Sequence, residues 1–260
     1  MSAKELVRLH CKALRLPTMA TALEESMVRA ERDNWPLDLF LAHLLEQEVE
    51  ARRLRRIARL RTLSKLPPGK TFAVFDDSRL PLRIRRQLPH LQEGAFVNRT
   101  QNVLCFGLPG TGKTHLAAAI GHSLVENGRS VLFVPTFKLV GRLLHAKREY
   151  ELERELRRLD KFEVVILDDI GYVQQSREEM EVLFTFLSER YERRSLVITS
   201  NLVFSEWDKI FKDPLTTAAA IDRVVHHSLI IEFGRDIKSM RMEEAAKQSQ
   251  QPLPALENVG

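Results

Sequence analysis

The sequence predicts an α/β fold, in which a parallel five-stranded sheet flanked by helices follows a small all-helical domain. Three observations carry this expectation. Residues 1 to about 65 read as helix throughout. From about residue 95 the pattern alternates strand and helix. The octapeptide Gly107-Leu108-Pro109-Gly110-Thr111-Gly112-Lys113-Thr114 stands between the first strand and the first helix of that alternation.

The helical part comes first. Pro17 ends one segment, Thr18 offers an N-cap to a second, and Asn34-Trp35-Pro36 opens a third. In the third, Leu37, Leu41, Leu44, Leu45 and Val49 keep helical spacing, so one helix is expected to run from Pro36 into an arginine cluster. Leu66-Pro67-Pro68-Gly69 stops it and places a domain boundary at residue 66. Residues 67–94 read as a basic connector containing Arg79, Arg83, Arg85 and Arg86, and 95–241 as the second domain. Its strands are expected at Val103 to Phe106, Ser130 to Val134, Glu163 to Leu167, Ser195 to Thr199 and Ser228 to Phe233. A helix is expected to leave the octapeptide through His115 to Ile120. Another, Arg177 to Arg193, carries Met180, Leu183, Phe184 and Leu187 on one face. Residues 242–260 are polar and proline-containing, and a disordered tail is expected there.

Composition narrows the function classes. No window resembles a membrane span, and the N-terminus lacks the basic start and apolar stretch of a signal peptide, so a cytoplasmic protein is expected. Cys11 and Cys105 have neither zinc nor disulfide spacing and read as small apolar residues. A net charge of +5 and a pI near 9.3 point to a polyanionic partner.

The octapeptide fits the phosphate-cradling pattern G-x-x-x-x-G-K-[ST]. Its glycines let consecutive backbone N–H groups turn toward a phosphate where a Cβ would obstruct. Gly107, Pro109, Gly110, Thr111, Gly112, Lys113, Thr114 and His115 are therefore expected to bind a nucleoside triphosphate, with Lys113 following the β- and γ-phosphates. Thr114 and Asp168 are expected to hold Mg²⁺. Asp168 and Asp169 end the apolar run Val164-Val165-Ile166-Leu167, and at that edge of an open sheet Asp169 would orient or deprotonate the attacking water. A simple turn is the other reading of two aspartates after a strand. Asn201, after Leu196 to Ser200, would polarise a water or a γ-phosphate oxygen, or else serve its own turn. Arg223, before the last strand, would act as an arginine finger supplied to a neighbouring subunit of a homo-oligomer, or form a surface ion pair with Asp222. His226 and His227 are adjacent, which on a helix directs them apart, so they are read as structural and not as metal ligands.

Six arginines fall between residues 52 and 61. Arg52, Arg55, Arg56 and Arg59 lie at i, i+3, i+4 and i+7, one helical stripe suited to the phosphates of double-stranded DNA without reading its bases. A solvated face paired with Glu46, Glu48 and Glu50 competes with that reading.

Assembled, these residues resemble those of an AAA+ ATPase of the initiator and helicase-loader branch, and more narrowly of the IstB family. The phrases that carry the resemblance are Leu14-Arg15-Leu16-Pro17-Thr18-Met19-Ala20, Glu48-Val49-Glu50-Ala51-Arg52-Arg53, Gly107 to His115, Leu167-Asp168-Asp169-Ile170-Gly171, Ile198-Thr199-Ser200-Asn201 and Asp222-Arg223-Val224-Val225-His226-His227. The resemblance implies a helper ATPase of a bacterial insertion sequence. Its ATP-bound oligomer would engage target DNA and recruit or activate an IstA-type transposase. A DnaC-type helicase loader is the alternative, and an adaptor that binds ATP but barely hydrolyses it stays open. Many AAA+ proteins carry Glu where this chain has Asp169, whose shorter reach implies slow hydrolysis. The helical lid of that superfamily is expected to be reduced or missing, with Arg241 a possible remnant of its second sensor.

Overall fold

Strand β1 (Asn102–Phe106), β2 (Val131–Pro135), β3 (Val164–Asp168), β4 (Ser195–Ser200) and β5 (Ser228–Glu232) pair in parallel, in the order β2-β3-β4-β1-β5. The computed structural model describes residues 1–172, 176–202, 206–207 and 214–234. Arg241 and the tail at 242–260 lie outside the described residues. Every residue of β1 and β4 is buried, as expected for inner strands covered on both faces. The register sets Phe106 beside Ser200 and Glu232, so the ends of β4, β1 and β5 finish level at one edge of the sheet.

Two layers of helix cover the sheet. Helix α7 (Lys113–Glu126) packs on one face against β1, β2, β3 and β4, its Ala117-Ala118-Ala119 run allowing close approach. The opposite face meets α8 (Thr136–Arg148), α10 (Arg177–Arg190) and α11 (Pro214–Val225), with α9 (Leu152–Asp160) against α8 and α10. There Leu104, Phe106, Val165, Leu167, Leu196 and Ile198 join Leu139, Leu143, Leu183, Phe186 and Val224 in one apolar cluster. Helix α10 starts on a capping box, in which Ser176 accepts from Glu179 N–H and the Glu179 side chain accepts from Ser176 N–H. It ends on Arg190, only 2% exposed, whose guanidinium donates to the carbonyls of Leu159, Phe162, Glu163 and Ser195. Burial pushes the Arg190 pKa down to about 9. This side chain ties the start of β3 and β4 to the end of α9.

The five strands and the helix after the octapeptide sit within two residues of their expected starts. Helices α8 and α9 were not legible in the sequence, because Thr136 to Asp160 mixes short apolar runs with dense charge. Residues 67–94 are more than a connector. They fold into two 3-10 turns and the short helices α4 (Leu82–Arg85) and α5 (Leu88–Glu93), followed by α6 (Ala95–Asn98). Leu80, Ile84, Leu88 and Leu91 are buried, at about 2 kcal/mol each, which holds the segment in place while Arg83, Arg85 and Arg86 stay exposed.

The chain divides into two compact units, Met1–Arg59 and Leu60–Gly260, so the division falls inside a helix rather than at Pro67-Pro68. In the first unit α1 (Ala3–Ala13) packs on α2 (Pro17–Arg32), and the long α3 (Leu37–Ser64) runs on into the second unit. Thr18 does not cap α2. Helix α2 has no capping side chain of its own, and instead the Glu48 carboxylate, from α3, accepts the N–H groups of Thr18 (2.8 Å) and Met19 (3.1 Å).

Candidate functional site

The octapeptide wraps the end of β1. Its Gly107 N–H donates to Ser200 O and the Phe233 N–H donates to Phe106 O, fixing the turn between β4 and β5. A Cβ on Gly107 would lie 2.7 Å from the Phe233 Cβ and 3.1 Å from its carbonyl oxygen, so only glycine fits. Gly112, at φ 103°, opens α7 without a side-chain hydrogen bond capping its N-terminus. The first-turn N–H groups of α7 therefore face the loop, an anion-attracting arrangement. Lys113 is 6% exposed, and its Nζ donates to the carbonyls of Gly107 (2.7 Å) and Leu108 (2.8 Å). Thr111 closes the loop with a hydroxyl bond to Leu108 O.

Parallel pairing carries the acidic residues to this same edge. Asp168, at the end of β3, accepts at Oδ1 from the hydroxyls of Thr114 (2.8 Å) and Thr199 (2.8 Å). Thr199 also accepts from the Asp169 N–H at 2.8 Å, and Asp169 takes the left-handed φ of 60°. The Asn201 amide donates to Asp169 Oδ1 at 3.2 Å. Lys113, Thr114, Asp168, Asp169 and Asn201 are thus assembled at one sheet edge, the last four through a continuous run of side-chain and backbone hydrogen bonds. Thr199 is the member that sequence reasoning missed, although it stands two residues before Asn201 at the end of an apolar strand. The two side-chain donors to Asp168 Oδ1 are neutral hydroxyls, in contrast to a carboxylate held by guanidinia. A carboxylate with a hydroxyl beside it is a hard oxygen donor set, and the cradle that a Cβ would fill lies next to it, so the residues fit Mg²⁺ with a polyphosphate. Neighbouring Cys105 offers no competing ligand: burial pushes its thiol up to about 12.

Aromatic groups border the loop. The Phe75 ring lies 5.2 Å from the His115 ring, and His115 Nε2 is 3.1 Å from Thr71 O. A Cβ on Gly112 would reach Phe75 at 3.7 Å and Phe233 at 3.8 Å, which marks these two rings as the flank of the loop. Nothing in the sequence singled them out, since the contact depends on how residues 71–75 fold back on α7.

Arg223 is not brought to this edge. It lies near the C-terminal end of α11, before β5 begins, and so at the opposite edge of the sheet from Gly107. Its guanidinium rests 5.0 Å from the Phe184 ring centroid and donates to Ala219 O.

The arginine stripe divides in two. Arg52 Nε (3.0 Å) and Arg55 Nη2 (3.2 Å) both pair with Glu48, whose side chain is 3% exposed. Arg52 also donates to Arg15 O, and Arg55 to Thr18 Oγ1. These two guanidinia hold the junction of α2 and α3 together as much as they face solvent. Arg53 pairs with Glu50 on the surface.

Comparison with known proteins places these features among relatives. A family model described as IstB-like ATP binding protein matches residues 9–248. An insertion sequence ATP-binding protein of Sinorhizobium fredii is 44% identical over 233 residues, covering 89% of this chain and 78% of the relative. The insertion sequence IS5376 ATP-binding protein of Geobacillus stearothermophilus is 36% identical, covering 95% of this chain and all of the relative. Among solved structures, DnaI is similar with a TM-score of 0.55 at 23% identity, covering 66% of this chain and 96% of that one. That likeness is one of fold.

Proposed function

The chain belongs to the family of IstB-like ATP-binding proteins, and from that premise we propose that it is a Mg²⁺-dependent ATPase whose ATP-bound oligomer acts on DNA in transposition. The observation that carries this is the run Thr114, Asp168, Thr199, Asp169 and Asn201, hydrogen-bonded beside the glycine loop. Loop N–H groups and the α7 N-terminus hold the β-phosphate. Lys113 exchanges the carbonyls of Gly107 and Leu108 for phosphate oxygens, an exchange of neutral for charged acceptors that favours the bound position. Thr114 and Asp168 are the residues that would hold Mg²⁺, which would supply positive charge to offset that of the polyphosphate. Asp169 accepts a proton from, or orients, the attacking water, and Asn201 keeps its carboxylate aimed by holding Oδ1. Phe75 and Phe233 give the base an apolar flank.

Arg223 completes the site from a second copy of the chain. Its place at the far edge of its own sheet means it cannot reach its own phosphates but is free to meet a neighbour's. Arg56 and Arg59 of the helical stripe supply phosphate contacts to duplex DNA, positioning the oligomer with little base preference. An IstA-type transposase is the partner this assembly would recruit or activate, as for the family.

Arg223→Ala tests the assembly: it should retain ATP affinity and lose turnover or oligomer formation. Wild-type turnover with normal assembly in that variant removes Arg223 as the finger. For the DNA arm, duplex binding should need ATP and weaken steeply with salt. Preference for single strands together with co-purification of a hexameric helicase would replace this reading with that of a helicase loader.

A further inference from the structure

Helix α11 ends at Val225 and β5 begins at Ser228, so His226 and His227 occupy the two-residue turn between them. On a helix they would diverge. In the turn their ring centroids are only 4.1 Å apart, with planes at 52°. The turn is pinned from beneath. Asn102, itself buried, donates its backbone N–H to His227 O (2.8 Å) and its side-chain amide to Val224 O (3.0 Å), while its Oδ1 accepts from Leu196 N–H at the start of β4.

The neighbouring connection, between α10 and β4, brings a carboxylate to the pair. Glu192 takes the left-handed φ of 56°, uncommon for a residue with a side chain, and its Oε1 comes to 4.0 Å from His227 Nε2. One ligand atom from each of Glu192, His226 and His227 lies within 4.8 Å of the other two. Tyr191 Oη sits 3.0 Å from His226 Nδ1. If it accepts the Nδ1 proton, the His226 Nε2 lone pair is left for an ion, the orienting arrangement usual behind metal-binding histidines.

From this geometry we infer that Glu192, His226 and His227 form a surface site for a borderline divalent transition-metal ion such as Zn²⁺, at the sheet edge opposite the phosphate loop. Two imidazoles and one carboxylate suit Zn²⁺ and its neighbours and disfavour Mg²⁺, which prefers oxygen ligands alone. Ligands of a tetrahedral zinc stand about 3.3 Å apart for bonds of about 2.0–2.1 Å. The separations here, within 4.8 Å, must close by up to about 1.5 Å, which rotation of three exposed side chains supplies. A water takes the fourth position. The ion would join the turn after α10 to the turn after α11, and so fix the end of the helix that carries Arg223.

The test uses the full chain, free of any affinity tag and of nucleotide, in saturating Mg²⁺. Titration with Co²⁺ should show one equivalent bound with the absorption of a four-coordinate ion, displaced by Zn²⁺ but not by further Mg²⁺. The double variant His226→Ala/His227→Ala, and separately Glu192→Gln, should weaken binding about tenfold or more, with unchanged ATP affinity as the check on folding. Failure of the parent chain to bind Co²⁺ or Zn²⁺ stoichiometrically overturns the site. So does full-strength binding in the double variant.

Discussion

The phosphate-loop edge of the sheet and the junction of α2 with α3 each centre on one carboxylate, yet the two are balanced differently. Glu48 accepts from two backbone N–H groups and from two guanidinia, Arg52 and Arg55. Its charge is neutralised within the fold, and what it achieves is structural: it caps a helix that has no cap of its own. Asp168 accepts from two neutral hydroxyls, Thr114 and Thr199. These hydroxyls orient the carboxylate without bringing a positive charge to it. The charge of the donors, more than burial, separates these two carboxylates: cations hold Glu48 and neutral hydroxyls hold Asp168.

Removing each charge should therefore have opposite consequences. Asp168→Asn should lower ATP turnover by about a hundredfold or more while the melting temperature stays close to that of the parent. Turnover within a factor of about two of the parent would break the distinction. Glu48→Gln should leave turnover intact and destabilise the N-terminal unit by about 1–3 kcal/mol, read as faster amide exchange at Thr18 and Met19.

Acid should reproduce the second effect. Burial raises the Glu48 pKa, but the Met19 N–H, Arg52 and the Thr18 N–H together outweigh it and hold the carboxyl below its ordinary value. A depressed folded pKa means the stabilisation is complete above the unfolded value of about 4.3 and is lost as pH falls through the lower folded value. Exchange at Thr18 and Met19 should accelerate over that acidic window in the parent and not in Glu48→Gln. The smallest effect concerns the arginines. Arg56→Ala with Arg59→Ala should flatten the logarithmic salt slope of duplex binding by about 2. Arg52→Ala with Arg55→Ala should act mainly by loosening the α2–α3 junction, seen in the same exchange measurement. Equal salt slopes in the two double variants would erase the division of the stripe.

What was legible in the sequence followed from locality. The octapeptide, the apolar run into Asp168-Asp169 and the strand before Asn201 each announce themselves over fewer than ten residues, and parallel topology brings them to one edge without further instruction. The unread features all depend on residues distant in the chain. Glu48 caps Thr18 from 30 positions away, Phe75 reaches Gly112 only because residues 71–75 fold back, and Asn102 fixes a turn at Val224 and His227. The histidine pair shows the same limit: read as helical neighbours they diverge, but the helix ends one residue earlier and the turn reverses the outcome.

If the loop from Gly107 to Thr114 seats the triphosphate, Lys113, now held on the carbonyls of Gly107 and Leu108, is the cation that the ligand would recruit. Equilibrium titration of a fluorescent ATP analogue with Mg²⁺ against the parent chain and Lys113→Ala tests it most directly. Binding should be at least a hundredfold weaker in the variant, about 2.7 kcal/mol, with unchanged secondary structure. Equal affinity in the two proteins would contradict it.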